Sequence, residues 1–100
     1  MAHRSSDLSI LIDLLKSAMR SENLEELLHD LLTTKERKEL VERWRVVSLL
    51  LEGHPQREIA RRLGVGIATV TRGAKQLRDG TGAFKRLYQG KNKPPTSDRL

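Results

Sequence analysis

Cysteine is absent from the 100 residues, which excludes a disulfide framework and any thiolate metal site and leaves a reducing cytoplasm as the expected compartment. Long apolar runs are missing as well. The opening Met1-Ala2-His3-Arg4-Ser5-Ser6 leads into an amphipathic stretch broken by Asp7, Asp13 and Lys16 rather than into an apolar signal core. Nothing approaches the roughly 20 apolar residues that a membrane span requires, so a soluble chain with no membrane partner is expected. His3, His29 and His54 stand apart without ligand-spaced partners, and no metal is expected. Ser5, Ser6, Ser9, Ser17, Ser21 and Ser48 have no His and Asp at nucleophile spacing, so no catalytic residue is assigned and the chain does not read as an enzyme. Gly64-x-Gly66 has neither a strand before it nor a Gly-Lys-Ser/Thr after it, which excludes a phosphate loop. Period-two alternation and internal repeats are also lacking, leaving an all-α class of about six helices.

What the sequence does hold is a divided charge. Between Met1 and Glu52 there are 8 Lys and Arg against 10 Asp and Glu, a net of −2; between Gly53 and Leu100 there are 11 against 3, a net of +8. A basic half joined to a structural half is the electrostatic pattern of a nucleic-acid-binding protein. One hundred residues suit one compact domain that buries a modest share of its surface, and a partner subunit would add to it.

The helices follow from period and punctuation. Leu8, Leu11, Ile12, Leu15, Ala18 and Met19 mark a first helix from Asp7 to Arg20 with Ser6 as N-cap. Ile10 and Leu14 widen its stripe beyond what one short chain can cover, which suggests a subunit interface. A second helix starts at Asn23, with Glu26 completing a capping box, and carries Leu24, Leu27, Leu28, Leu31 and Leu32. Thr33-Thr34-Lys35-Glu36 opens a third, the longest, whose apolar positions Leu40, Val41, Trp44, Val47, Leu50 and Leu51 run up to Gly53; Trp44 reads as core. Pro55 suits the first turn of a fourth helix ending at Leu63. A fifth runs from Ile67 to about Arg78, and a short sixth from Ala83 to Tyr88. Residues 1–89 form a single domain, and residues 90–100 read as a disordered basic tail.

Between Gln56 and Leu77 the spacing meets the steric demands of a helix-turn-helix. Ala60 is small where a second helix must cross the first closely. Gly64, four residues on, supplies a positive φ at the turn. Ile59, Leu63, Val65 and Val70 form the apolar contacts that fix the crossing. A helical hairpin built only for a core would not place Gln56, Arg57, Arg61, Arg62, Thr69, Thr71, Arg72, Lys75 and Arg78 at its outward positions. Arginine can bind guanine or phosphate, threonine can reach either, and Ile67 and Ala68 are sized for thymine methyls, so the helix from Ile67 is expected in the major groove of double-stranded DNA.

Leu32-Thr33, Arg43 and above all Leu63-Gly-Val-Gly-Ile-Ala-Thr-Val-Thr-Arg-Gly73 resemble the tryptophan repressor family of bacterial trp operons. The similarity covers Leu24 to Leu77, and the flanking helices fit by position. The resemblance implies an intertwined homodimer of six helices per subunit in which L-tryptophan, as corepressor, sets two reading heads for successive major grooves. It also implies residue roles. Arg72 would hold the corepressor carboxylate, Arg43 would lie across the indole, Gly73 would flank the ring, and Thr33 of the other subunit would also reach the carboxylate. Backbone carbonyls near Asp30 and Leu32 would take the ammonium. Gln56, Arg57, Ile67, Ala68, Thr69 and Thr71 match positions that face DNA, to which Arg72 and Arg78 add charge. The chain departs from the best-known members at Gln76, where they carry a serine for the ammonium, at Asp30, where they carry leucine, and in a link from Gly53 to Gln56 one residue shorter. The implied function is a sequence-specific transcriptional repressor of amino-acid biosynthesis operons. Two alternatives stay open: a regulator of the same structural group that answers to no ligand or to another one, and the DNA-targeting module of a larger recombination or replication assembly.

Overall fold

A computed structural model of the chain describes residues 6–90 and Pro94. Among the described residues there are six α-helices and no strand: α1 (Asp7–Arg20), α2 (Leu24–Leu31), α3 (Thr34–Leu51), α4 (Gln56–Leu63), α5 (Ile67–Asp79) and α6 (Ala83–Gln89). The chain divides into two compact units, Met1–Arg37 and Lys38–Leu100, with the boundary inside α3. Apart from Gly90 and Pro94, the basic tail inferred from the sequence lies outside the described residues.

In the first unit α1 packs against α2. The Ser9 N–H donates to Ser6 Oγ at 3.1 Å, which caps α1 at its start. At its other end Glu22 takes a left-handed φ of 58°, and the Asn23 N–H reaches back to the Ala18 carbonyl at 3.0 Å. That bond corrects one expectation. Asn23 is the residue before α2, but its side chain makes no cap bond. Its backbone N–H, the donor a capping box would offer to Glu26, is already used in closing α1. The box expected before α3 does form: the Thr33 N–H donates to Glu36 Oε1 at 2.9 Å, and the Glu36 N–H donates to Thr33 Oγ1 at 3.1 Å.

The second unit is built on a small apolar core. Val46 and Leu49 of α3, Ile59 of α4 and Val70 of α5 are buried together, with Leu50, Ala60, Leu63 and Val65 packed around them. Ile59, Val70 and Leu49 have no exposed surface at all, so each contributes close to the full roughly 1.5–3 kcal/mol that burying a branched aliphatic side chain provides. Ser48, also fully buried, satisfies its hydroxyl by donating to the Arg45 carbonyl at 3.0 Å. Trp44 is half-buried, with its ring 6.3 Å from that of Phe84 on α6. After α3, Gly53 has φ +99° and the His54 N–H closes on the Leu49 carbonyl at 3.2 Å. Pro55, with φ −65° and ψ 148°, is the cap before α4 rather than a member of its first turn, a displacement of one residue that its fixed φ accommodates equally well.

Candidate nucleic-acid interface

The pair α4 and α5 is the most closely packed couple of helices in the second unit, and local sequence explains its turn. Gly64 adopts φ 67° and ψ 35° immediately after α4. The Val65 N–H then bonds the Ala60 carbonyl at 3.0 Å, the six-to-one closure that a left-handed glycine permits. Gly66, extended at φ −71° and ψ 152°, precedes α5 without any side-chain cap. Ile59 and Val70 are completely buried at the crossing, and Leu63 and Val65 flank it. Ala60 is half-buried there, as its small side chain requires.

The opposite face is polar and basic. Arg57, Arg61 and Arg62 of α4 and Thr71, Arg72, Lys75 and Arg78 of α5 are exposed, as is Ala68. Ile67, at the start of α5, is 52% exposed and presents an apolar surface of the size of a thymine methyl contact. Gln56 and Thr69 are half-buried. Two of these residues are joined directly: the Thr71 hydroxyl donates to Gln56 Oε1 at 2.9 Å across fifteen residues of sequence. The Arg78 guanidinium faces the neighbouring Asp79 at 3.2 and 3.4 Å. Both partners are well exposed, so that pair is weak and easily exchanged.

The residues assigned to a ligand by resemblance fall into two groups. In the second unit, Gly73 of α5 lies hard against α3: a Cβ placed on it would sit 2.7 Å from Val46 Cγ1. Arg43, exposed on α3, is three residues before Val46 and so borders the same crossing. Arg72 is the neighbour of Gly73, and Gln76 follows one turn later. Gln76 lines a cleft of about 200 Å³ together with Leu77, Gly80, Thr81, Gly82, Ala83 and Phe84. In the first unit, Asp30 is exposed and pairs with His29 Nδ1 at 3.2 Å. Thr33 uses its oxygen to accept from Glu36, which leaves its hydroxyl proton available to a carboxylate.

Arg37, which the sequence reading did not assign to the site, contacts this same region. Arg37 donates from Nη1 to the Leu32 carbonyl at 3.0 Å and to the His29 carbonyl at 3.4 Å, and from Nη2 to Thr34 Oγ1 at 3.1 Å. It thereby serves the last carbonyls of α2, including the one expected to receive a ligand ammonium. An arginine in the first turn after a helix end is the available signal, since basic side chains satisfy such carbonyls. Among the described residues no group of His, Cys, Asp or Glu could hold a metal ion, and no helix is long and apolar enough to cross a membrane.

Six helices without a strand among the described residues, with a basic and tightly packed helix pair, form the pattern of DNA-binding transcriptional regulators. Comparison with known proteins narrows the class. Residues 6–91 match the family described as Trp repressor protein, and the chain belongs to that family. It is 44% identical over 89 residues to a Trp operon repressor homolog of Vibrio cholerae, covering 87% of this chain and 86% of the relative. It is 41% identical over 76 residues to the Vibrio parahaemolyticus homolog, with 75% and 74% covered. A homolog from Aliivibrio fischeri is 42% identical over 77 residues, with 76% and 71% covered. No solved structure matches. The family and these relatives make the chain a transcriptional repressor that binds DNA.

Proposed function

We propose that the chain is a homodimeric helix-turn-helix repressor that places α5 in the major groove of operator DNA and is activated by L-tryptophan. The observation that carries this reading is the α4–α5 crossing. Its buried side, Ile59 and Val70, fixes the two helices, while its outer side offers Gln56, Arg57, Ile67, Ala68, Thr71 and Arg72 to a ligand as large as a duplex. Thr69 and Arg78 complete the DNA-facing set, with phosphate contacts supplying most of the affinity. The regulated genes in this reading are operons of amino-acid biosynthesis, and the protein works in the cytoplasm.

Dimerisation is supported by α1, on which Leu8 is 66%, Ile10 55% and Met19 62% exposed and only Ala18 is buried. A helix so apolar needs a second surface, and a second copy of the chain provides it at no cost in new sequence. For the corepressor, Arg72 would hold the carboxylate, with the partner's Thr33 hydroxyl adding a donor. Arg43 would stack on the indole, and Gly73 would flank the ring. The carbonyls near Asp30 and Leu32, with the Gln76 carboxamide, would receive the ammonium. The gating is a population shift: a ligand that binds only one spacing of the two heads raises operator affinity by its preference for that spacing.

A second reading, a regulator of the same group without tryptophan dependence, is favoured by Arg37. Its guanidinium already donates to the Leu32 carbonyl at 3.0 Å, and an ammonium brought to the same oxygen would meet a like charge. Calorimetric titration with L-tryptophan separates the two. Saturable binding, with operator affinity raised in a gel shift, supports the corepressor reading. No heat at ligand concentrations on the order of 1 mM would sink it and leave the ligand-independent one.

A further inference from the structure

The hydrogen bond between Thr71 and Gln56 fixes which partner gives a proton and which receives one. Thr71 lies on α5, four residues after its first residue, and is exposed; Gln56 opens α4 and is half-buried. The Thr71 hydroxyl donates to Gln56 Oε1 at 2.9 Å. A threonine hydroxyl has one proton and two lone pairs, and a glutamine carboxamide has one acceptor oxygen and two N–H donors. With the single hydroxyl proton directed at Gln56, only lone pairs remain on Thr71 for anything that approaches α5. With Oε1 so engaged, the Nε2 hydrogens of Gln56 remain for an acceptor, held in place by a bond to a helix that the buried Ile59 and Val70 lock against α4.

We infer that Gln56 is a positioning residue that makes Thr71 an acceptor-only reader of a base-edge amino group. This rests on the placement of α5 in the major groove proposed above. In that groove the amino donors are N4 of cytosine and N6 of adenine, whereas guanine N7 and O6 and thymine O4 are acceptors and would face a lone pair. A free threonine hydroxyl turns to suit either kind of edge and discriminates little. Bound to Gln56, it favours an amino group and rejects guanine and thymine at that step. The Gln56 carboxamide offers its Nε2 hydrogens to a phosphate oxygen or a base acceptor next to it.

The experiment is a selection of duplexes from a random-sequence pool by the full-length protein, by Thr71→Val, Thr71→Ser and Gln56→Ala, and by the Thr71→Val/Gln56→Ala double variant. Wild type and Thr71→Ser select cytosine or adenine at one position. Thr71→Val and Gln56→Ala both lose that preference at that same position, by about fivefold to a hundredfold in the base ratio, and the double variant loses no more than the worse single one. If adenine is selected, purine riboside, which lacks the N6 amino group, at that position weakens wild type and leaves Thr71→Val indifferent. If cytosine is selected, the arm uses a pyrimidinone lacking N4. Preferences lost at different positions, additive losses, or indifference of the wild-type protein to the missing amino group would overturn the inference while the protein still selects DNA. Failure of the wild-type protein to enrich any sequence would instead overturn the DNA-reading proposal itself.

Discussion

Gly73 is the residue at which packing and the proposed ligand site meet. A methyl there would sit 2.7 Å from Val46 Cγ1, a side chain in the buried core. Gly73→Ala is therefore expected to lower stability by about 1–3 kcal/mol through overpacking, read as a fall in the thermal or urea midpoint. Combining it with Val46→Ala should restore part of the loss, because the second change removes the colliding methyl; strictly additive losses would show that α3 and α5 are not in contact there. Gly64 makes a different demand. Space around it is open, but its φ of +67° is not, so Gly64→Ala should cost roughly 1–2 kcal/mol, with no rescue from any change in its neighbours. Gly64 and Ala60 were legible in the sequence, whereas Gly73 entered only through the resemblance and its contact with Val46 depends on how α3 and α5 pack. The donor direction between Thr71 and Gln56 was not legible, because it depends on two helices meeting fifteen residues apart.

At the scale of the element, helix ends separate what sequence reveals from what it hides. Thr33 and Glu36 satisfy each other as the Thr-x-x-Glu spacing predicts, whereas Asn23 and Glu26 have equally suitable residue types and do not. The difference lies with Ala18, five residues upstream, whose carbonyl takes the Asn23 N–H, a competition visible only once α1 has been closed. Thr33→Ala should accordingly destabilise the protein by about 0.5–2 kcal/mol. Asn23→Ala should change it little, since no side-chain cap bond is lost. Equilibrium unfolding followed by circular dichroism distinguishes them, and equal losses would contradict the capping assignment. Helix existence and order were read correctly from apolar period and from Gly53, Gly64, Gly80 and Gly82. The Arg37 contacts to the end of α2 are carried in the sequence only by the position of an arginine one turn beyond a helix end, a weak signal on a helix as charged as α3.

For the whole molecule, the apolar surface of α1 and the basic surface of α4 and α5 lead to separate expectations. Ile10→Glu, at a position 55% exposed in the single chain, should shift sedimentation from twice the chain mass toward the monomer. Were the protein already monomeric at micromolar concentration, α1 would need another occupant. With the charge divided as net −2 before Gly53 and +8 after it, the proposed reading expects DNA affinity to come from the second half through phosphate neutralisation. The most direct test is fluorescence anisotropy of a duplex enriched by the protein from a random pool, compared with a shuffled duplex, between about 50 and 200 mM salt. Affinity for both duplexes should fall steeply with salt, the enriched duplex should stay tighter throughout, and Arg57→Ala should lower the salt slope by about one. Salt-independent binding, or equal affinity for the two duplexes at every salt concentration, would contradict the assignment of α4 and α5 as the DNA-reading surface.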